Sequence, residues 1–365
     1  MADRPRREYR AIARARLTID LDALVANWRS LAARAGPGVE TAAVVKADAY
    51  GLGAARVGPA LRDAGVCSFF VALAEEGAAL RIALGPGPAI FVLSGLMPND
   101  AGLLRAHDLV PCLNSLEQIG DHTRLLRGHP AALQLDSGMN RLGLEPADLD
   151  RIDPRALAPV LLLSHLACAD DPAHPQNAAQ LKAFRELAAR IPGVRRSLAA
   201  TPGILLGPEY HFGLTRPGIG LYGGIRFPGA RPVVRLALPV IQVRDVAPGE
   251  TVGYAATWTA ARATRVATVS AGYADGLLRA IGSGPVHLYA GDTPCPMIGR
   301  VSMDLITVDV SELAEVPERL EILNEHQDVE DLATAAGTIS YEILTSLGDR
   351  YDRVYNPPAP QPDPE

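Results

Sequence analysis

Apolar residues along the chain fall into short runs separated by segments of mixed polarity. The runs at Ala42–Ala47, Cys67–Ala72, Ala89–Ser94, Asp108–Leu113, Ala131–Asp136, Pro159–His165, Val194–Ala200 and Gly218–Gly223 are mostly apolar throughout, as strands covered on both faces are. Amphipathic stretches lie between them. Glu75–Leu84, Ser115–Leu126 and Gln176–Arg190 are the clearest, and Ser115 with Gln118 three residues on fits a capping box. A further helix, Asp22–Ala35, capped by Asp20 or Asp22, precedes the first run. Eight strands alternating with helices predict a (β/α)8 barrel of the TIM type, class α/β. An open doubly wound sheet is the alternative, but Gly51-Leu52-Gly53 lacks the third glycine of a dinucleotide fingerprint.

Past Pro232 the texture changes. Val233–Val246, Thr264–Ser270, Pro285–Tyr289, Pro296–Arg300 and Leu305–Val310 read as strands with Pro and Gly between them, and helical patterns return only near Val329–Ala336 and Ser340–Leu347. The expected organisation is a segment 1–20 that pairs with the second domain, a barrel over 21–232, a β-rich C-terminal domain over 233–355, and a disordered tail over 356–365. That tail is too rich in proline to pack.

Composition narrows the function classes. The chain has 365 residues, 48% hydrophobic and 21% charged, enough for one large domain and a smaller one. A net charge of -6 gives no footprint for nucleic acid or an anionic membrane. The basic N-terminus has no apolar core, so no secretory signal is expected, and no run reaches the roughly 18 apolar residues of a membrane span. Four scattered cysteines without a CxxC pair read as reduced thiols in a cytoplasmic protein.

Candidate chemistry gathers at the predicted strand ends. Only two lysines, Lys46 and Lys182, stand among 35 basic residues, and Lys46 closes the apolar run of AAVVKADAYGLG. A lysine kept where arginine serves elsewhere points to chemistry of a primary amine. Asp136 ends the fifth run with Arg141 in the loop beyond it, His165 ends the sixth, and Thr201 follows the seventh. Gly218, Ile219 and Tyr222 run through the eighth, with Arg216 at its start. Taken singly, each has a plain reading: a strand-end lysine reaching water, a satisfied core histidine, an arginine bridging surface carboxylates. Convergence on one barrel mouth favours a site. The loop HLACADDPAH, with His165, Cys168, Asp170, Asp171 and His174, matches no standard metal spacing, and no metal is expected.

The motifs AVVKADAYGLGA, DSGMNRLG, HFGLTRPGIGLYGG, GRVSMD and the tyrosines of VGYAATW and SAGYADG, in this order, resemble those of alanine racemase, a pyridoxal phosphate enzyme with a barrel and a β domain. The resemblance runs from TIDLDALVANW to RYDRVY. It implies interconversion of L- and D-alanine, supplying D-alanine for peptidoglycan, with pyridoxal 5'-phosphate as cofactor. Lys46 would form the Schiff base and act as base on one face of the substrate, and Tyr254 as base on the other. A free phenol titrates near 10, so His165 and Arg216 would support it. Arg216 would also face the pyridine nitrogen. Tyr50, Thr201, Gly218, Ile219 and Tyr341 match phosphate-binding positions. Arg141 and the backbone of Met303 would meet the substrate carboxylate, with Tyr273 and Asp304 in support. Tyr254 and Met303 would come from the second subunit of a homodimer.

Some positions depart from that pattern. Gln134 stands where many members carry a carbamylated lysine, so its neutral amide would have to orient Arg141. Asn140 replaces a glycine, Ala200 an asparagine, Thr201 a serine and Ser302 a cysteine. A broader serine racemase, a non-catalytic cofactor-binding relative and a metal-requiring aldolase remain the alternatives at this stage.

Overall fold

The computed structural model describes residues 14–356. They form two compact units, one of Val25–Leu221 and one in which the residues up to Leu24 join those from Tyr222 onward. The first strand, β1 (Arg16–Asp20), leads directly into a helix, Leu21–Ala35, whose first turn is capped by Asp20: its Oδ1 accepts from the Ala23 amide at 2.8 Å.

In the unit Val25–Leu221 the strands are β2 (Glu40–Thr41), β3 (Ala43–Val44), β4 (Ser68–Val71), β5 (Ala89–Val92), β6 (Leu109–Leu113), β7 (Ala132–Gln134), β8 (Leu161–Leu163), β9 (Arg196–Ser197) and β10 (Leu214–Thr215). β3 to β9 pair in parallel, each with the next, and β10 pairs in parallel with β2. The gap between β9 and β10 is closed by Gly213 N to Arg196 O at 3.1 Å and Arg216 N to Ala199 O at 2.8 Å. The ring of strands is thus complete. Every residue of β4 and β6 is buried, which explains their unbroken apolar runs. Phe70 and Phe91, opposite each other on β4 and β5, stack at 4.7 Å between ring centroids.

Two expectations about this unit are corrected. Gly218–Gly223 is not the eighth strand: Ile219–Tyr222 is a 3-10 turn, and the strand is Leu214–Thr215, extended by a bridge between Ala200 and Arg216. Three glycines in six residues left no side chains to face a sheet. Arg216 therefore lies at the mouth end of the last strand. The first run also breaks earlier than Ala47. After Val45 the backbone of Ala47, Asp48, Ala49 and Tyr50 takes φ of 52–57° in a left-handed turn. At the capping box, Ser115 Oγ accepts from Gln118 N at 3.3 Å, while Gln118 reaches the Asn114 amide and Ser94 O instead of closing the box.

The other unit contains β11 (Val234–Val246), β12 (Thr251–Val252), β13 (Trp258–Thr259), β14 (Thr264–Ser270), β15 (His287–Ala290), β16 (Thr293–Ile298), β17 (Leu305–Asp309), β18 (Arg319–Leu323) and β19 (Asp352–Asn356). Its main sheet runs β14-β17-β16-β15-β18-β11-β1-β19, and a further pairing of β14 with β11 closes six strands into a ring. β1 is antiparallel to β11 and parallel to β19. Asn356, expected in the tail, ends β19; the rest of that tail lies outside the described residues, as does the basic N-terminus before residue 14. β18 and β19 had no clear sequence signal, because each is only five residues long and β19, Asp-Arg-Val-Tyr-Asn, has no apolar alternation.

The left-handed turn generates a stability prediction. Non-glycine residues in this region cost about 1–2 kcal/mol each, and the side chain of Ala47 is exposed with no packing to lose. Ala47→Gly is expected to stabilise the protein by about 0.5–1 kcal/mol, read as a higher denaturation midpoint. A lower midpoint would show that the turn is not held as described.

Candidate active site

The barrel strands deliver a group of polar side chains to one mouth. Lys46 stands two residues beyond β3, Asp136 two beyond β7, His165 two beyond β8, Thr201 four beyond β9 and Arg216 one beyond β10. Strand ends of a closed barrel converge, so residues far apart in sequence become neighbours.

Lys46 is partly buried, and its ammonium is pushed below its ordinary pKa first by burial and then by Arg141, with Glu76 opposing. Glu76 went unnoticed in the sequence. Its Oε1 accepts from the Ala47 amide at 2.7 Å and its Oε2 from the Ala72 amide at 2.7 Å, so one carboxylate joins the turn after Lys46 to the helix Ala74–Leu84. The spacing of an acid in a helical first turn was a legible clue. Asp48 closes the same turn by accepting from the Ala54 amide at 2.7 Å.

Arg216 is buried, and among the described residues no carboxylate lies against it. It donates to Ser197 Oγ at 2.5 Å and to Ser164 O at 2.6 Å, and its guanidinium lies 5.8 Å from the centroid of the Phe70 ring. Burial lowers its pKa to about 10, which leaves it charged at neutral pH. His165 is lowered to about 3, by burial first and then by Arg216, Arg141 and Lys46. The imidazole is therefore neutral among three cations. No hydrogen bond among the described residues joins His165 to Arg216, so the supporting chain expected between them is electrostatic here.

Tyr50, Thr201, Gly218 and Ile219 come together. Thr201 Oγ1 accepts from the amides of Gly218 at 3.0 Å and Gly220 at 3.2 Å. A Cβ on Gly218 would lie 2.3 Å from the Tyr50 hydroxyl oxygen, so only glycine permits this approach. The Arg141 loop is shaped by Asp136, whose Oδ1 accepts from the amides of Gly138, Met139 and Asn140 at 2.8–3.2 Å. Asn140 has φ 56°. Its replacement of a glycine is thereby explained, since asparagine is the side chain that best tolerates this conformation. Arg141 is exposed and Gln134 buried, and no hydrogen bond joins them; the expected support of one by the other is not made.

Tyr254, Tyr273, Met303, Asp304 and Tyr341 belong to the other unit and are all exposed. The structure knits three of them together: Tyr273 N donates to Ser302 O at 3.1 Å, Ala274 N donates to Met303 O at 3.0 Å, and Arg350 bonds both Asp275 and Asp304. Tyr254 opens a turn in which Ala255 and Ala256 have positive φ. Arg350 and Asp275 were missed, because a charged pair 75 residues apart has no local pattern.

The residues of HLACADDPAH act as turn and cap groups: His174 Nδ1 accepts from Gln176 N, and Asp171 Oδ1 from Ala173 N. Among the described residues, a trio at metal-ligand separation occurs elsewhere, at exposed Asp292, Glu325 and His326. There Arg235 already pairs with Glu325, and His326 with Asp292. A cleft of about 410 Å³ lined by Thr18, Asp20, Arg231, Arg235 and Glu325 is likewise internally satisfied, with Asp20 capping a helix and Arg235 paired to Glu321 and Glu325.

The depressed His165 pKa carries a sign. The unfolded group titrates near 6.5 and the folded one near 3. The unfolded state therefore takes up the proton first, and stability present above about pH 6.5 is lost as the pH falls towards 3. Between pH 6.5 and 5 the loss from this group is about 2 kcal/mol. His165→Gln, measured without cofactor by denaturant titration at both pH values, is expected to shrink the acid destabilisation by about that amount. An unchanged acid slope would contradict the neutral, cation-surrounded ring.

Comparison with known proteins bears on the chain as a whole. The family described as alanine racemase, N-terminal domain, matches residues 19–226, and alanine racemase, C-terminal domain, matches 233–355. An alanine racemase of Cereibacter sphaeroides is 62% identical over 346 residues, covering 94% of this chain and 99% of the relative. One of Jannaschia sp. is 59% identical over 341 residues, covering 93% and 98%. Among solved structures, alanine racemase from Bartonella henselae, with covalently bound pyridoxal phosphate, superposes with a TM-score of 0.88 at 38% identity, covering 94% of this chain and 99% of that one. The biosynthetic enzyme of Pseudomonas aeruginosa gives 0.86 at 36% identity, again covering 94% and 99%. With both of its domains matched in order and relatives this similar along nearly their whole length, the chain belongs to the alanine racemase family of isomerases.

Proposed function

We propose that this alanine racemase works with pyridoxal 5'-phosphate in the barrel mouth, by proton transfer between two bases, Lys46 and Tyr254, on opposite faces of the substrate. The observation that carries the reading is the charge of the mouth. Lys46, Arg141 and Arg216 influence one neutral imidazole, and the buried Arg216 has no carboxylate against it. Such a pocket is built for an anionic ligand. The groups present fit a phosphorylated aldehyde: a primary amine at Lys46 and the hydroxyls of Tyr50 and Thr201, beside a glycine at 218 where a side chain would obstruct the approach. The other lysine, Lys182, is exposed on a helix 4.0 Å from Glu186.

When bound, the cofactor supplies the electron sink that acidifies the substrate α-hydrogen. The protein residues do the rest. The lowered pKa of Lys46 raises the fraction of free amine able to accept a proton. Racemisation also needs a group on the other face, since one base returning its proton to the same face inverts nothing. Tyr254 takes that role, and Met303 presents its amide to the substrate carboxylate together with Arg141. Tyr254 and Met303 are 69% and 54% exposed, and on this reading each serves the barrel of a second copy in a homodimer. On this reading Tyr341 would help to hold the phosphate and Arg216 would face the pyridine nitrogen. As a charged donor, it would leave that nitrogen unprotonated. The product D-alanine serves peptidoglycan synthesis in the cytoplasm.

Two variants test the assignment. Lys46→Ala is expected to lose the visible absorbance of covalently held cofactor and its fixation by borohydride; retention of either would remove Lys46 from the role. Tyr254→Phe is expected to keep the absorbance while α-proton exchange in D2O falls about 10²–10⁴-fold for one alanine enantiomer and far less for the other. Exchange at the wild-type rate for both enantiomers would overturn the two-base reading.

A further inference from the structure

Arg350 lies between the helix Ser340–Ser346 and β19 and holds two loops at once. Its Nε donates to Asp275 Oδ1 at 2.5 Å and its Nη2 to Asp275 Oδ2 at 2.7 Å, a two-pronged grip on a buried carboxylate. Its Nη1 donates to Asp304 Oδ1 at 2.8 Å. Asp275 Oδ2 also accepts from the Gly272 amide at 2.9 Å, which shapes the turn carrying Tyr273. That turn lies directly on the loop of Met303. A Cβ on Gly272 would meet Ser302 O at 2.3 Å and Met303 O at 2.4 Å, so the two backbones touch with no room for a side chain.

The grip on Asp275 has an ordinary purpose, since a buried carboxylate needs a cation. The third bond does not follow from that need. Asp304 is 52% exposed, and a solvent-exposed ion pair contributes little stability. What the bond does is fix the residue next to Met303. The Met303 carbonyl is already held by the Ala274 amide, so the peptide on either side of Met303 is tied to one frame. The arrangement spans three segments that are remote in sequence.

We propose that Arg350 is a positioning residue for substrate binding: through Asp275 and Asp304 it holds the Met303 amide where the carboxylate of alanine must dock. This rests on the reading that the Met303 amide receives that carboxylate. A planar three-bond fork is required, and lysine cannot supply it.

The test compares Arg350→Ala and Arg350→Lys in the cofactor-loaded enzyme. Arg350→Lys keeps a cation beside Asp275 and is expected to fold with its cofactor absorbance intact. In both variants the KM for L- and D-alanine should rise about tenfold or more, with kcat within about twofold. Added guanidinium should lower the KM of Arg350→Ala again. Amide hydrogen exchange at Tyr273 and Ala274 should be faster in both variants. Faster exchange with unchanged KM would overturn the proposal by removing Met303 from carboxylate binding, while leaving the clamp in place. Unchanged exchange in both variants would overturn the clamp itself.

Discussion

A buried guanidinium without a carboxylate sets the terms for the barrel mouth. Arg216 is held by Ser197 Oγ and Ser164 O, neutral acceptors that orient the charge without cancelling it. Burial first, and then its field with those of Arg141 and Lys46, keeps His165 neutral, and burial and Arg141 together weaken the proton affinity of Lys46. Both effects combine lost hydration of the charged form with positive charge in a partly desolvated space, where Coulomb interactions are stronger than in water. A carboxylate beside Arg216 would undo the arrangement by restoring local neutrality. The serine at position 197, with the backbone carbonyl of residue 164, is thus as much a part of the electrostatics as the arginine.

The same mouth stores backbone strain. Four consecutive non-glycine residues after Lys46 adopt left-handed angles, a conformation that costs free energy at each residue. The turn persists because its amides are satisfied from outside, by Glu76 at Ala47, and because Asp48 ties it to Ala54. It brings Tyr50 back against Gly218. An ordinary right-handed turn would send that ring elsewhere. Strain retained at this one place is consistent with a chain selected for where Lys46 and Tyr50 stand, not for stability alone.

The sequence made the barrel legible because parallel strands buried on both faces leave unbroken apolar runs, as at Ser68–Val71 and Leu109–Leu113. It misplaced the eighth strand because Leu214–Thr215 is only two residues long, while the glycine-rich segment beyond it looked more strand-like. β18 and β19 were lost because each is a five-residue stretch of mixed polarity that only its neighbours in the sheet stabilise. The site was legible in its motif residues, since an amine such as Lys46 or a glycine such as Gly218 carries its reason in its chemistry. Glu76, Ser197, Asp275 and Arg350 act through geometry, and geometry across 75 residues leaves no mark on a linear pattern.

The departures from the family pattern can be sorted by the same reasoning. Asn140, where the pattern has glycine, takes φ 56°, a conformation that both residues accept, so the replacement is compatible with this shape of the Arg141 loop. Thr201 keeps the hydroxyl of serine and uses it on the Gly218 and Gly220 amides, and its added methyl sits where Gly220 has no side chain to oppose it. Gln134 is different in kind. A carbamylated lysine would bring a negative charge, and a glutamine brings none of its own. Lys46 and His165, which both feel Arg141, are shifted first by burial and then in the direction that positive charge requires.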